Sequence, residues 1–120
     1  METKLLAPRL LKARESICEV GGFKLIILRP TQMEYTLRRA RHNGNEVAIA
    51  LEAARDDVVG WVDMKESDID PQGANEVIAF DSVVYKLWIA DQSDLWLPIH
   101  EHVMNALNGS AERLKALRGN

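Results

Sequence analysis

Apolar and polar positions alternate most regularly between residues 79 and 107, where Val83, Val84, Leu87, Trp88 and Ala90 recur at helical spacing. After Ser93 and Asp94 the pattern restarts with Leu95, Trp96, Ile99, Val103 and Leu107 on one stripe. This predicts a helical hairpin whose first helix is capped by Asp81 or Ser82, the short acceptors a helix start needs. Pro98 lacks an amide hydrogen, so an irregular turn is expected through residues 94–97, with regular helix from Pro98 onward. Asn108-Gly109 would end that helix, and Ser110 would cap a last short one carrying Leu114 and Leu117.

Upstream the pattern changes period. Residues 16–29 contain two β-prone runs around Gly21-Gly22, a pair able to take the positive φ angles of a tight hairpin turn. Phe23, Leu25 and Ile27 would share its apolar face. Arg29-Pro30 ends the strand, and Thr31 and Glu34 have capping-box spacing for a helix over residues 31–42. Met33, Leu37 and Ala40 would line its inner stripe, Glu34 would pair with Arg38, and His42-Asn43-Gly44 would stop it. Asn45 then caps a long helix over residues 45–61, with Val47, Leu51, Ala54, Val58 and Trp61 inward and Gly60 near its exit. Residues 62–76 are acidic and turn-rich, hence a surface loop. Phe80 would staple the helix that follows.

These elements make one compact, mostly α domain of about five helices with one N-terminal β-hairpin, helix-dominated α+β. Residues 1–15 form an arm, 16–109 the core, and 110–120 a short C-terminal helix or tail. The arm has Leu5, Leu6, Leu10 and Leu11 between basic residues, with Pro8 limiting any helix to one or two turns.

The chain has 120 residues, 47% hydrophobic and 28% charged, as expected for a globular domain. No apolar run approaches the roughly 20 residues of a membrane span and no signal-peptide pattern opens the chain, so a cytoplasmic protein is expected. Charge is uneven: +5 over residues 1–43, −10 over 44–107 and +2 over 108–120, for a net −3. Opposite ends of that distribution attract, within one chain or between copies. Leu5, Leu6, Leu10, Leu11 and the basic Arg38, Arg39 and Arg41 are therefore the candidate partner or self-association residues, the expected state being a weak homo-oligomer.

No pattern of catalysis is present, and no cofactor site is expected. Cys18, flanked by Ile17, reads as a buried thiol. Asp68, Asp70 and Gly73 match the first half of a calcium loop, but Ala79 stands where the bidentate glutamate belongs. His100 and His102, two apart on a helix, point in nearly opposite directions and cannot share an ion; one or the other is expected on its solvent flank. The arginine cluster permits a helix-turn-helix reading of residues 31–42 and 45–61. Glu46, Glu52, Asp56 and Asp57 beside a lone Arg55 would then face the phosphates, so nucleic-acid binding is unfavourable.

The order of these pieces resembles the tail assembly chaperones of long-tailed, siphovirus-like bacteriophages and prophages. It is carried by Arg29-Pro30-Thr31, Val58-Val59-Gly60-Trp61 and the Phe80-Asp81 lead into the Trp- and Leu-rich helices. The resemblance spans nearly the whole chain. It implies a non-enzymatic, mostly helical protein of the host cytoplasm that coats the tape measure protein and helps recruit the major tail tube protein. In many members a programmed frameshift appends a second domain. The alternatives are a small DNA-binding regulator and a protein-interaction domain of an unrelated complex.

Overall fold

A computed structural model describes residues 3–119. Its element order is α1 (Leu6–Lys12), β1 (Glu15–Val20), β2 (Phe23–Leu28), α2 (Gln32–Arg41), α3 (Glu46–Asp56), β3 (Val58–Val62), α4 (Glu66–Ile69), α5 (Ser82–Ile89) and α6 (Ser93–Leu117). The fold is helix-rich, as expected, but the sheet has three antiparallel strands in the order β1-β2-β3.

The hairpin forms where Gly21 and Gly22 permit it, with φ of 58° and 83°. Cys18, Val20, Leu25 and Ile27 turn inward from β1 and β2. They meet Tyr85, Trp88 and Ile89 of α5, Leu95, Ile99, Val103 and Leu107 of α6, and Ala53 and Ala54 of α3 in one core. Phe23 stands edge-on to Trp88 at 5.2 Å and Trp61 to Phe80 at 4.8 Å, the geometry aromatic quadrupoles prefer. Buried polar atoms of this layer are satisfied by backbone: the Tyr85 hydroxyl donates to the Ala54 carbonyl at 2.6 Å, and Trp61 Nε1 to that of Ile78 at 2.9 Å.

A Cβ on Gly21 would lie 2.7 Å from Leu95 Cδ2, whereas none on Gly22 would meet anything within 4 Å. Gly22→Ala is therefore expected to cost only the positive-φ penalty, about 1–2 kcal/mol. Gly21→Ala adds the displacement of Leu95, so its melting temperature should fall clearly further. Equal falls for the two variants would mean that the turn does not lean on α6.

The residues 45–61 helix is corrected to a helix and a strand. α3 ends at Asp56, and Val58–Val62 runs antiparallel to β2, with Leu25 opposite Trp61 and Ile26 opposite Gly60. The β-branched valines and Trp61 of Val-Val-Gly-Trp-Val suit a pleated surface, and on β3 Val58 and Trp61 are buried. Gly60 does serve a close approach, since a Cβ there would sit 3.0 Å from Ile26 Cδ1. The acidic loop holds the short α4, and Lys65 bridges Val77.

The predicted end of the hairpin is also revised. α6 runs unbroken through Pro98 and through Asn108-Gly109, so residues 110–117 are its last turns rather than a separate helix. A proline inside a helix costs about 3 kcal/mol. The burial of Leu95, Ile99, Val103 and Leu107 along one side of α6 offsets it. Ser110, expected as a cap, instead accepts a hydrogen bond from Arg29 Nη2 at 3.0 Å, and Gln32 Nε2 donates to the Leu107 carbonyl at 3.1 Å. The left-handed glycine that terminates α6 is Gly119, φ 75°. On α5, Asp81 is the cap, accepting from the amides of Val83 and Val84. The buried face is Tyr85, Trp88 and Ile89, so that Val83 and Leu87 are exposed instead of inward.

Candidate functional site

Two features stand out from the fold: a buried cluster of charges between α2 and α3, and apolar side chains left outside.

The cluster follows from how α2 is set. Thr31 and Glu34 form the expected capping box, with Glu34 N donating to Thr31 Oγ1 at 3.0 Å and Thr31 N to Glu34 Oε1 at 2.8 Å. Glu34 pairs with Arg14 at 2.9 Å, not with Arg38 as expected. That bond and the Thr31 amide hold its carboxyl below the usual carboxylate range, Thr31 being the larger influence. Arg38 lies inside, 5% exposed. Its two terminal nitrogens donate to the two oxygens of Asp57 at 2.8 Å each, a bidentate pair. Its Nε is 2.7 Å from Glu52 Oε2, close but off the hydrogen-bonding direction. Glu52 also accepts from Arg41 at 2.8 and 2.9 Å and contacts His42 Nε2 at 2.8 Å. Arg41 first, with His42 and Arg38, holds the Glu52 carboxyl down to about 2 against the opposing pull of burial. Burial pushes Asp57 upward, with Arg38 opposing.

Arg39, the remaining member of the predicted basic patch, pairs with Glu46 at 2.9 Å. All three arginines named from sequence thus bind carboxylates of their own chain, and Arg38 is not a surface residue. Arg38 is thereby a structural group, while Arg39 and Arg41 keep part of their side chains at the surface. In the helix-turn-helix reading of residues 31–42 and 45–61, the second helix ends at Asp56 and β3 takes the rest of that range.

The inward Arg38 has a second consequence. With Tyr35 and Arg38 facing the domain, Met33 and Leu37 point outward, Met33 being 74% exposed, so the expected inner stripe of Met33, Leu37 and Ala40 is an outer one. α1 is more extreme: it buries none of its residues, and Leu5, Leu6, Leu10 and Leu11 are all exposed. Pro8 is tolerated in its first turn, where amides lack partners anyway. The arm is held at its base, where Arg29 N donates to the Arg14 carbonyl at 3.0 Å. A radius of gyration of 16.2 Å exceeds the roughly 14 Å of a compact domain this size, as projecting ends require.

A groove of ≈ 370 Å³ lies between α3 and α6, walled by Val47, Ala50 and Leu51 on one side and Trp96 and Leu97 on the other. Glu46, Ser93 and His100 complete it. Val47, taken from its spacing as an inward residue, is 70% exposed here, because Ile49 and Ala53 form the true inner face of α3.

The remaining sequence candidates are placed as follows. His100 is buried rather than on the solvent flank, its Nδ1 has no hydrogen-bond partner, and burial lowers its pKa. His102 is half-buried against β1, 2.7 Å from Ser16 Oγ, and burial lowers its pKa as well. Asp68 and Asp70 accept backbone amides of Lys65 and Gln72. Among the described residues no group of three or more His, Cys, Asp or Glu side chains is placed to hold a metal ion. Cys18 is buried, and burial raises its pKa. No described helix is long and apolar enough to cross a membrane. No protein-family model matches the chain, and neither a curated protein nor a solved structure does.

Proposed function

We propose that this protein is a tail assembly chaperone of a long-tailed bacteriophage or prophage, acting in the host cytoplasm by covering the apolar faces of the helical tape measure protein until tail tube subunits arrive. The observation that supports it is the amount of aliphatic surface left outside a complete core: the leucines of α1, Met33 and Leu37 on α2, and the groove between α3 and α6. Contiguous exposed apolar surface marks sites of protein association, and a groove between two helices accepts an amphipathic helix by its i, i+3, i+4 anchors. A tape measure protein, long and helical, presents many such faces in series. The residue order described above supplies the family reading; the surface is what that reading requires. A DNA-binding role has less support, because Arg38, Arg39 and Arg41 are all paired internally.

The test is co-expression with a tape measure protein of the same phage or prophage. The partner's soluble fraction should rise several-fold and the two chains should co-purify. An equally insoluble partner with and without this chain would overturn the assignment.

A further inference from the structure

The geometry points to a receptor for the arm: we propose that α1 of one copy docks in the groove between α3 and α6 of a second copy, joining subunits head to tail. The arm and groove belong to the apolar surface invoked above for the tape measure protein, but their pairing with each other needs no such partner. Four observations carry it. α1 is a helix with no buried residue, anchored by Arg14 to Arg29 and Glu34, so in its own chain it does not cover the groove. The groove runs along α6 from Ser93 to His100, and seven residues of helix rise about 10 Å, the length of α1 itself.

Side chains match as well. Leu6 and Leu10 are one turn apart on α1, the spacing of a ridge that seats between Val47 and Leu51 on one wall and Trp96 and Leu97 on the other. The charges are complementary: residues 3–14 include Lys4, Arg9, Lys12 and Arg14 and no acid, while residues 87–112 include Asp91, Asp94, Glu101 and Glu112 and no lysine or arginine. Such a pairing steers association and sets orientation. Because donor and receptor are different surfaces, each pair keeps one arm and one groove free, and the contact repeats until a ring closes or the chain stays open.

Light scattering on the full chain tests this through two substitutions at exposed positions, Leu10→Asp in the arm, 62% exposed, and Leu97→Asp in the groove, 59% exposed. Wild type should show a mass that grows with concentration. Each variant alone should stay at the mass of one chain with an unchanged far-UV circular dichroism spectrum. Mixed in equal amounts, they should form dimers and nothing larger, since the arm of the Leu97→Asp chain fits the intact groove of the Leu10→Asp chain. If Leu97→Asp disturbs folding, Val47→Asp on the opposite wall takes its place. A wild type that is monomeric at high concentration, a groove variant that keeps the wild-type mass, or a mixture that stays monomeric would each overturn the proposal. These masses are read on this chain alone, whereas co-expression of the wild-type chain reads the partner's solubility, so the two readings fail separately.

Discussion

Replacing Arg38 with alanine is expected to lower unfolding stability by about 3–5 kcal/mol, the range for removing one partner from a buried ion pair. The loss would come less from the missing attraction than from what stays behind. Asp57 would be buried beside α2 with both oxygens stripped of their bidentate donor, and Glu52 would lose its nearest cation while keeping Arg41 and His42. The double variant Arg38→Met, Asp57→Leu removes both charges and leaves Glu52 satisfied, so it should recover part of the loss. Urea unfolding of the three proteins decides the matter. A double variant less stable than Arg38→Ala would mean that the Asp57 left behind is not the source of the loss.

Acid should unfold the protein earlier than its modest net charge suggests, and Glu52 is the main reason. Its carboxyl titrates near pH 2 in the fold against about 4.5 in the unfolded chain. A group depressed in this way stabilises fully above its unfolded value and loses that contribution as pH falls toward its folded one. For Glu52, well shielded from solvent, this amounts to about 3 kcal/mol, lost between roughly pH 4.5 and 2. Asp56 and Glu34, also held down, act in the same direction. His100 and His102, lowered by burial from 6.5, begin the loss earlier, because the unfolded chain takes up their protons first. Asp57, raised by burial, opposes the trend. Glu52→Gln isolates the term: it should be the less stable protein at neutral pH, and its deficit relative to wild type should shrink below pH 4.5. A deficit that stays constant down to the acid transition would show that Glu52 carries no such linkage.

What could be read from sequence was mostly local. Thr31 with Glu34, Asn45 and Asp81 cap their helices as expected, and Gly21-Gly22 turns the hairpin, because each feature acts over four residues or fewer. Facing was less legible. The spacing of Met33, Leu37, Val47 and Leu87 is that of core residues, yet the inner faces of α2 and α3 include Arg38 and Glu52. That charged core depends on Asp57, far along the chain from Arg38, which no local window contains. The strand β3 was missed for a related reason: Val58 and Trp61 continue a helical interval by coincidence, although the β-rich Val-Val-Gly-Trp-Val run carried a competing signal. For the candidate surface, the exposed leucines of the arm were visible in sequence. The groove was not, since it exists only where α3 and α6 lie side by side.

α6 is continuous in geometry but divided in energetics. Up to Leu107 its side chains are interlocked with strands and with α3, so those turns can open only when the domain opens. Beyond Gly109 its leucines are exposed, and few contacts other than the Arg29–Ser110 bond tie it down, so those turns can fray and re-form with no consequence for the core. The same rod is therefore a rigid member at one end and a locally melting one at the other. A residue inserted in its last turns would rotate whatever follows by about 100° and shift it by about 1.5 Å while leaving the packed end undisturbed.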